Sequence, residues 1–208
     1  MVGKPKKADY LAQNGILRLI NMALLKRIYY SFIMTYKYRA ALLDIYRRTP
    51  PNVQLHKISP SSLKQQGIDI LALDFDGVLA AHGKTYPNQE LHNWLNESIK
   101  LFGAKNIFIL SNKPMQKRID YFKSYGIDFI TEVKKKPYPD GLNKIIAFTG
   151  KNNQKLMLFD DRLLTGCLAA SIAKVPVTYI TKPYKLTLFF NSLRFLERGI
   201  IQLYALMK

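Results

Sequence analysis

Hydrophobic positions between residues 66 and 182 follow two patterns in turn. Short runs rich in β-branched and aromatic residues alternate with longer segments in which apolar residues recur every three or four positions. The short runs predict five strands, at residues 68–75, 106–110, 127–130, 155–159 and 175–180. The longer segments predict four helices, at residues 91–102, 115–122, 140–148 and 163–172. This alternation predicts an α/β domain with a mainly parallel five-stranded sheet between two layers of helices.

Helices are predicted on both sides of this α/β region. Before it, Ile16, Ile20, Leu24 and Ile28 recur at helical spacing, and Thr49-Pro50-Pro51 ends the segment because proline cannot continue a helix. After it, residues 184–208 predict one amphipathic helix that packs on the domain or, alternatively, lies on lipid. Its apolar stripe consists of Phe189, Leu193, Leu196, Ile200, Leu203 and Met207. The chain therefore divides into residues 1–50, 51–183 and 184–208.

The charge of the chain is strongly unbalanced. The formal net charge is +18, which indicates a polyanionic partner, either nucleic acid or an anionic membrane surface. Residues 1–50 combine many Lys and Arg residues with tyrosines, a composition typical of a membrane interface. No run of about 20 apolar residues is present, so a membrane-spanning helix is not expected. We expect a cytoplasmic protein that lies peripherally on a membrane.

The cysteine content restricts the chemistry further. Cys167 is the single cysteine, so the chain cannot form an internal disulfide or a zinc site built on several cysteines. Its position on an apolar helical face predicts a place in the core.

Polar residues that could bind a ligand or take part in catalysis follow four of the predicted strands. Ligands of open parallel sheets bind beyond the carboxyl ends of the strands, so these residues should meet at one edge. They are Asp74 and Asp76, then Ser111 and Asn112, then Lys136, then Asp160 and Asp161.

Four carboxylates at one edge repel each other unless a cation lies between them. Oxygen ligands suit Mg²⁺, and the Lys and Ser side chains could hold a phosphate beside it. One carboxylate could then attack phosphorus and form an acyl phosphate. In an Asp-x-Asp pair the two side chains share a face, so Asp74 could attack while Asp76 handles the proton of the leaving group.

These motifs, in this order, resemble the four-motif set of the haloacid dehalogenase (HAD) superfamily. The matching residues are Asp74-Phe75-Asp76-Gly77-Val78-Leu79, Ser111-Asn112, Lys136-Pro137 and Asp160-Asp161. Over roughly residues 40–205 the chain is also similar to the phosphatidylglycerophosphate phosphatases of subclass III, which lack a cap domain. Segments that carry this narrower similarity include Asp161-Arg162-Leu163-Leu164-Thr165 and Leu193-Arg194-Phe195-Leu196-Glu197-Arg198.

The resemblance implies a HAD-like Rossmannoid α/β fold of three layers, with amphipathic helices at the N- and C-terminal ends. It implies that Asp74 is the nucleophile and Asp76 the general acid and base. Ser111, Asn112 and Lys136 would hold the transferring phosphoryl group. Mg²⁺ would be bound by Asp161, Asp74, the backbone carbonyl of Asp76, and Asp160. The product would be phosphatidylglycerol, a precursor of cardiolipin.

The sequence departs from the family pattern at both acidic motifs. Phe75, Gly77 and Val78 replace residues of the usual Asp-Leu-Asp-Asn-Thr, and Gly166 stands where the fourth motif usually ends in Asp. Asp160 is expected to supply the missing negative charge. The intervals between successive motifs leave no room for a cap domain, so the site should admit a bulky substrate.

Three functions follow from these observations. The leading hypothesis is a Mg²⁺-dependent phosphomonoester hydrolase that acts on phosphatidylglycerophosphate, with an anionic phospholipid and a membrane surface as partners and no nucleic acid. One alternative is a phosphatase of nucleic-acid ends or another HAD phosphatase, which the positive charge and the open site also suit. The other is a non-catalytic, membrane-associated binding module. The absence of a carboxylate at position 166, where the chain has glycine, is the reason to consider it.

Overall fold

The protein contains a five-stranded sheet in which all strands are parallel, as the alternating pattern predicts. The computed structural model describes residues 7–185 and 187–207, and side-chain environments from residue 22 onward except residue 205. The strand order is β3-β2-β1-β4-β5, which places β1 at the centre. The strands are β1 (Ile70–Leu73), β2 (Ile107–Ile109), β3 (Asp128–Phe129), β4 (Leu156–Asp160) and β5 (Val177–Tyr179).

The helices predicted between the strands are present, and α3 is one that the hydrophobic pattern does not indicate. The predicted helix over 163–172 begins as a π-helical turn, Leu163–Cys167, before it becomes α-helical. The helices are α1 (Lys7–Lys37), α2 (Arg39–Arg48), α3 (Pro60–Gln65), α4 (Glu90–Phe102), α5 (Gln116–Ser124), α6 (Asp140–Thr149), α7 (Leu168–Ala173) and α8 (Leu188–Leu206).

The central strand β1 is buried on both faces, because its alternate side chains enter two different hydrophobic clusters. Leu71 and Leu73 pack with Trp94 of α4 and Phe122 of α5. The intervening residues of β1, Ile70 and Ala72, pack in a second cluster with Leu142 and Ile145 of α6 and Ala169 and Ala170 of α7. Strands buried on both faces are typical of parallel sheets, and they hold the carboxyl ends of β1, β2 and β4 in fixed positions.

A third cluster joins α2 and α8 to the end of the sheet. Leu42 and Ile45 of α2 pack with Tyr179 of β5, Ile201 of α8 and the buried Cys167. The burial of Cys167 agrees with its predicted place in the core. This cluster includes residues of the π-helical turn that follows β4, so α2 and α8 both support the segment directly after Asp160 and Asp161.

The face of α8 that contacts the domain differs from the predicted one. The helix does pack on the domain, but Phe189, Leu196 and Leu203 of the predicted stripe are more than half exposed. The buried positions are instead Arg194, Glu197 and Ile201. A search for apolar periodicity cannot detect a face that is buried through charged residues, and here that face lies next to the predicted stripe, of which Ile200 still packs against the third cluster.

Arg194 makes the contacts that hold α8 to the sheet. Its guanidinium donates hydrogen bonds to the Asp161 side chain at 2.9 Å and to the backbone carbonyls of Asp161, Ile180 and Thr181. Glu197, one turn further along, accepts hydrogen bonds from the Arg162 side chain and from the backbone N–H of Leu163. These bonds connect α8 to the residues directly after β4.

Replacement of Arg194 by Ala should strongly destabilise the protein. The change leaves the buried Asp161 carboxylate and three carbonyl groups without their donor, which should cost about 3–5 kcal/mol of unfolding free energy. The control is Gln202→Ala on the exposed side of α8, which should change stability by about 0.5 kcal/mol or less. Urea denaturation measures both. A similar, small loss in the two variants would contradict the role assigned to Arg194.

Candidate active site

The residues predicted for the site meet at one cavity beyond the carboxyl ends of β1, β2 and β4. The cavity has a volume of about 410 Å³. Its lining includes six of the predicted residues: Asp74, Asp76, Ser111, Asn112, Lys136 and Asp161. Asp160 does not line the cavity, but its fully buried carboxylate contacts Lys136. The sequence therefore identified side chains that the fold brings together.

Lys136 lies at the centre of this arrangement, between two carboxylates. Its Nζ atom is 2.9 Å from Oδ1 of Asp74 and 2.5 Å from Oδ2 of Asp160. The other oxygen of Asp160 accepts a hydrogen bond from the backbone N–H of Arg162 at 2.9 Å. Although burial lowers the pKa of Lys136, the charges of Asp160 and Asp74 raise it more, so the pKa lies above its usual value and the ammonium stays charged.

Three of the carboxylates are close enough to share a metal ion. Asp74, Asp160 and Asp161 each offer an oxygen atom, and these atoms lie within 4.8 Å of one another. Oδ2 of Asp161 accepts a hydrogen bond from Arg194, while Oδ1 of Asp161 is buried without a hydrogen-bond partner. An unpartnered, buried carboxylate oxygen is costly unless a cation completes it, so the donor set fits a hard divalent ion such as Mg²⁺.

The balance of charges in the cluster of Asp74, Asp160 and Asp161 also favours a bound cation. Three carboxylates contact two cations, Lys136 and Arg194, which leaves one net negative charge in a buried place. Burial raises the pKa of Asp74 to about 7, against the opposing charge of Lys136. Burial and the charge of Asp160 raise the pKa of Asp161 to about 8. Without a metal ion, protons reduce the repulsion; a bound cation would replace them.

Asp76 faces a different partner from the other acids. Both of its oxygens accept hydrogen bonds from Arg118, at 2.9 and 3.0 Å, and the backbone N–H of Gly83 donates to it at 3.2 Å. Arg118 is a fully buried residue of α5 that also lies over the ring of Phe75, 3.9 Å from its centroid. The Asp76 side chain is not part of the three-carboxylate group, and its role as general acid and base stays a prediction.

Ser111 and Asn112 differ in how they relate to the cavity. Oγ of Ser111 accepts a hydrogen bond from the backbone N–H of Lys113, which leaves its own proton for an anion in the cavity. Asn112 uses both polar atoms on the backbone of Lys136: it accepts from the N–H at 2.7 Å and donates to the carbonyl at 3.2 Å. Asn112 therefore positions the loop that presents Lys136, and its contact with phosphate stays a prediction.

Glycines at positions 77 and 166 lie directly against carboxylates of the site. Gly77 has a φ of 90°, and a Cβ atom there would lie 2.6 Å from Oδ2 of Asp161. Only glycine adopts this conformation and also leaves room for that carboxylate. A Cβ atom on Gly166 would overlap the carboxyl group of Asp160. The carboxylate of Asp160 thus occupies the space that a side chain at position 166 would need.

Several residues of the site carry no signal in the hydrophobic pattern. Arg118, Arg194 and Glu197 are charged residues in helices, and periodicity of apolar residues does not single them out. The ring of His82 stacks on Phe190 at 3.7 Å, and both line the cavity. Burial lowers the pKa of His82. Because Phe190 belongs to the first turn of α8, this helix forms part of the cavity wall.

Comparison of the chain with family models, curated proteins and solved structures finds no match. Within the described residues, no helix has the length and the apolar character that a membrane crossing requires.

Substitution of Gly166 tests whether Asp160 occupies the space of the missing side chain. Gly166→Ala should destabilise the protein by about 1–3 kcal/mol, because the new methyl group displaces a buried carboxylate. The matched control is Gly199→Ala in α8, where a Cβ atom meets nothing within 4 Å and should stabilise the helix by up to about 1 kcal/mol. Thermal or urea denaturation gives both values. Equal effects of the two changes would show that position 166 is not sterically restricted.

Proposed function

We propose that the protein is a Mg²⁺-dependent phosphomonoester hydrolase that works through an aspartyl-phosphate. The observation that carries this proposal is the buried group formed by Asp74, Lys136, Asp160 and Asp161 at the end of the sheet. A nucleophile, a fixed ammonium group and a set of oxygen donors lie within a few ångströms of each other there. These are the parts that transfer of a phosphoryl group to a carboxylate requires.

The chemistry follows from the contacts of each residue. Because Oδ1 of Asp74 is bound to Lys136, attack on phosphorus falls to Oδ2. The new O–P bond forms as the P–O bond of the ester breaks, and the leaving alcohol takes a proton from Asp76. Lys136 and Ser111 hold the oxygens of the phosphoryl group. Water then attacks phosphorus, gives up its proton to Asp76, and releases phosphate and Asp74.

Mg²⁺, held by Asp74 and Asp161 with Asp160 beside them, would supply the positive charge that draws the phosphoryl group to the nucleophile. Two arginines position the acids: Arg118 holds Asp76 near the cavity, and Arg194 orients Asp161. Both arginines are buried and each contacts one carboxylate, so they act by positioning acids rather than by touching substrate.

The substrate that we favour is phosphatidylglycerophosphate, with the protein on the cytoplasmic surface of a membrane. The similarity described above supports this choice, and so do two exposed apolar surfaces. One is the outer side of α8, which includes Leu188, Phe195 and Leu206, each at least 80% exposed. The other is α1, where Leu25 and Tyr29 are 64% and 70% exposed. Apolar surfaces on a chain of net charge +18 suit an anionic bilayer.

The alternative functions are less well supported. A nucleic-acid end would use the positive charge but would leave the apolar side of α8 without a partner. A non-catalytic module was suggested by the glycine at position 166, but the Asp160 carboxylate supplies a negative charge in the same space. The hydrolase therefore remains the proposal, with a lipid as its substrate.

Replacement of the nucleophile tests the proposal. The wild-type protein should release phosphate from detergent-solubilised phosphatidylglycerophosphate when Mg²⁺ is present. Asp74→Asn should lower this rate by at least about a thousandfold, because the covalent route is lost. Asp69→Asn is a suitable control, since Asp69 pairs with Lys64 on the surface next to β1.

Two results would contradict the assignment. A rate for Asp74→Asn close to that of Asp69→Asn would exclude Asp74 as the nucleophile. Faster release of phosphate from a phosphorylated oligonucleotide than from the lipid would replace the lipid by a nucleic-acid end while keeping the chemistry.

A further inference from the structure

A second cavity lies between α1 and the loop that follows β3. Its volume is about 560 Å³, and none of the catalytic side chains lines it. Its apolar surface comes from Leu24 of α1 and from Val133 and Tyr138 of the loop. The rings of Tyr30 and Tyr138 stack at 4.2 Å, which fixes α1 against the loop beside the cavity. We call this cavity the α1 groove.

Four cationic side chains also line the α1 groove. Lys26 and Arg27 contribute from α1, and Lys134 and Lys135 contribute from the loop. The Lys134 ammonium is 3.9 Å from the carboxylate of Asp140, an exposed ion pair that leaves most of the positive charge uncompensated. Within the described residues that line the groove there is no carboxylate. An apolar floor with four cations at its edge is complementary to a molecule with an apolar tail and an anionic head.

The groove and the catalytic cavity have no lining residue in common, but a third, smaller cavity is lined by residues of both. This cavity has a volume of about 50 Å³; Ser111 and Lys136 in its lining also line the catalytic cavity, and Val133 and Tyr138 also line the groove. The loop that forms the groove therefore also carries Lys136, the lysine of the catalytic cluster. A ligand in the groove would contact the segment that presents Lys136.

We propose that the α1 groove binds an anionic phospholipid. One acyl chain lies against Leu24, Val133 and Tyr138, and the head-group phosphate is held by the four cations. The site goes beyond the proposed function, because lipid binding there requires neither the carboxylates nor phosphoryl transfer. Free phosphate would leave the apolar floor exposed to water, and so would a nucleic-acid backbone. A phospholipid uses both parts of the groove.

Calorimetric titration of the full chain with short-chain, monomeric dihexanoyl lipids tests this proposal. Dihexanoyl phosphatidylglycerol should bind at least about tenfold more tightly than the zwitterionic dihexanoyl phosphatidylcholine, because the four cations favour a net negative charge. Inorganic phosphate alone should bind much more weakly than either lipid. The same preference in Asp74→Asn would show that binding does not require the nucleophile.

Variants of α1 locate the site. Leu24→Glu should weaken the binding of dihexanoyl phosphatidylglycerol by about tenfold or more, since it places a carboxylate on the apolar floor. The double change Lys26→Gln and Arg27→Gln should remove most of the preference for the anionic lipid. The matched control is Met22→Glu, which is also an exposed position of α1 but does not line the groove, and it should bind as the wild type does.

The outcomes separate this site from the proposed function. Wild-type affinity in Leu24→Glu, or equal affinity for inorganic phosphate and for the anionic lipid, would overturn the groove assignment. Tighter binding of a short oligonucleotide than of the lipid would also overturn it. Hydrolysis of a water-soluble phosphate monoester should be the same in Leu24→Glu and in the wild type. Loss of lipid binding in Leu24→Glu with unchanged hydrolysis thus supports the groove assignment. If the wild-type protein binds the lipid but hydrolyses no phosphomonoester, only the proposed function is contradicted.

Discussion

Three carboxylates, those of Asp74, Asp160 and Asp161, lie within one another's electrostatic reach at positions that little or no water reaches. Removal of a charge from water costs several kcal/mol, and repulsion between like charges adds to that cost. Lys136 and Arg194 offset part of it through direct ion pairs. The negative charge that these two cations do not compensate either keeps protons on the acids or attracts a divalent cation. A metal ion bound there would in turn attract an anionic phosphoryl group.

Other parts of the fold serve this cluster. The parallel sheet places Asp74, at the end of β1, beside Asp160 and Asp161 at the end of β4, because these two strands pair directly. Glycines at positions 77 and 166 leave room for the carboxylates of Asp161 and Asp160. Helix α8 follows the last strand and returns to the cluster, where Arg194 compensates a charge. Consequently Arg194 and Glu197 are buried, and Leu188, Phe195 and Leu206 of the same helix face outward.

The sequence contained enough information for the sheet, for most helices and for the meeting of the predicted site residues. Strands buried on both faces and amphipathic helices leave distinct hydrophobic patterns, and the rule that parallel strands end at one edge brings Asp74, Ser111, Lys136 and Asp161 together. The orientation of α8 could not be predicted in this way. Its contacts depend on ion pairs between residues more than thirty positions apart, such as Arg194 with Asp161, and periodicity carries no information about them. The pairing of Arg118 with Asp76 escaped prediction for the same reason.

Calorimetric titration of the metal-free protein with Mg²⁺, in buffers of different ionisation enthalpy, tests the central claim most directly. The pKa values of Asp74 and Asp161, at about 7 and about 8, lie above the ordinary value for aspartate, so both acids hold protons below these values and must release them to bind metal. At about pH 6.5 binding should release more than one proton and be weak; at about pH 9 it should release almost none and be tighter. Binding with the same affinity at both pH values and without proton release, or no binding at all, would contradict the account.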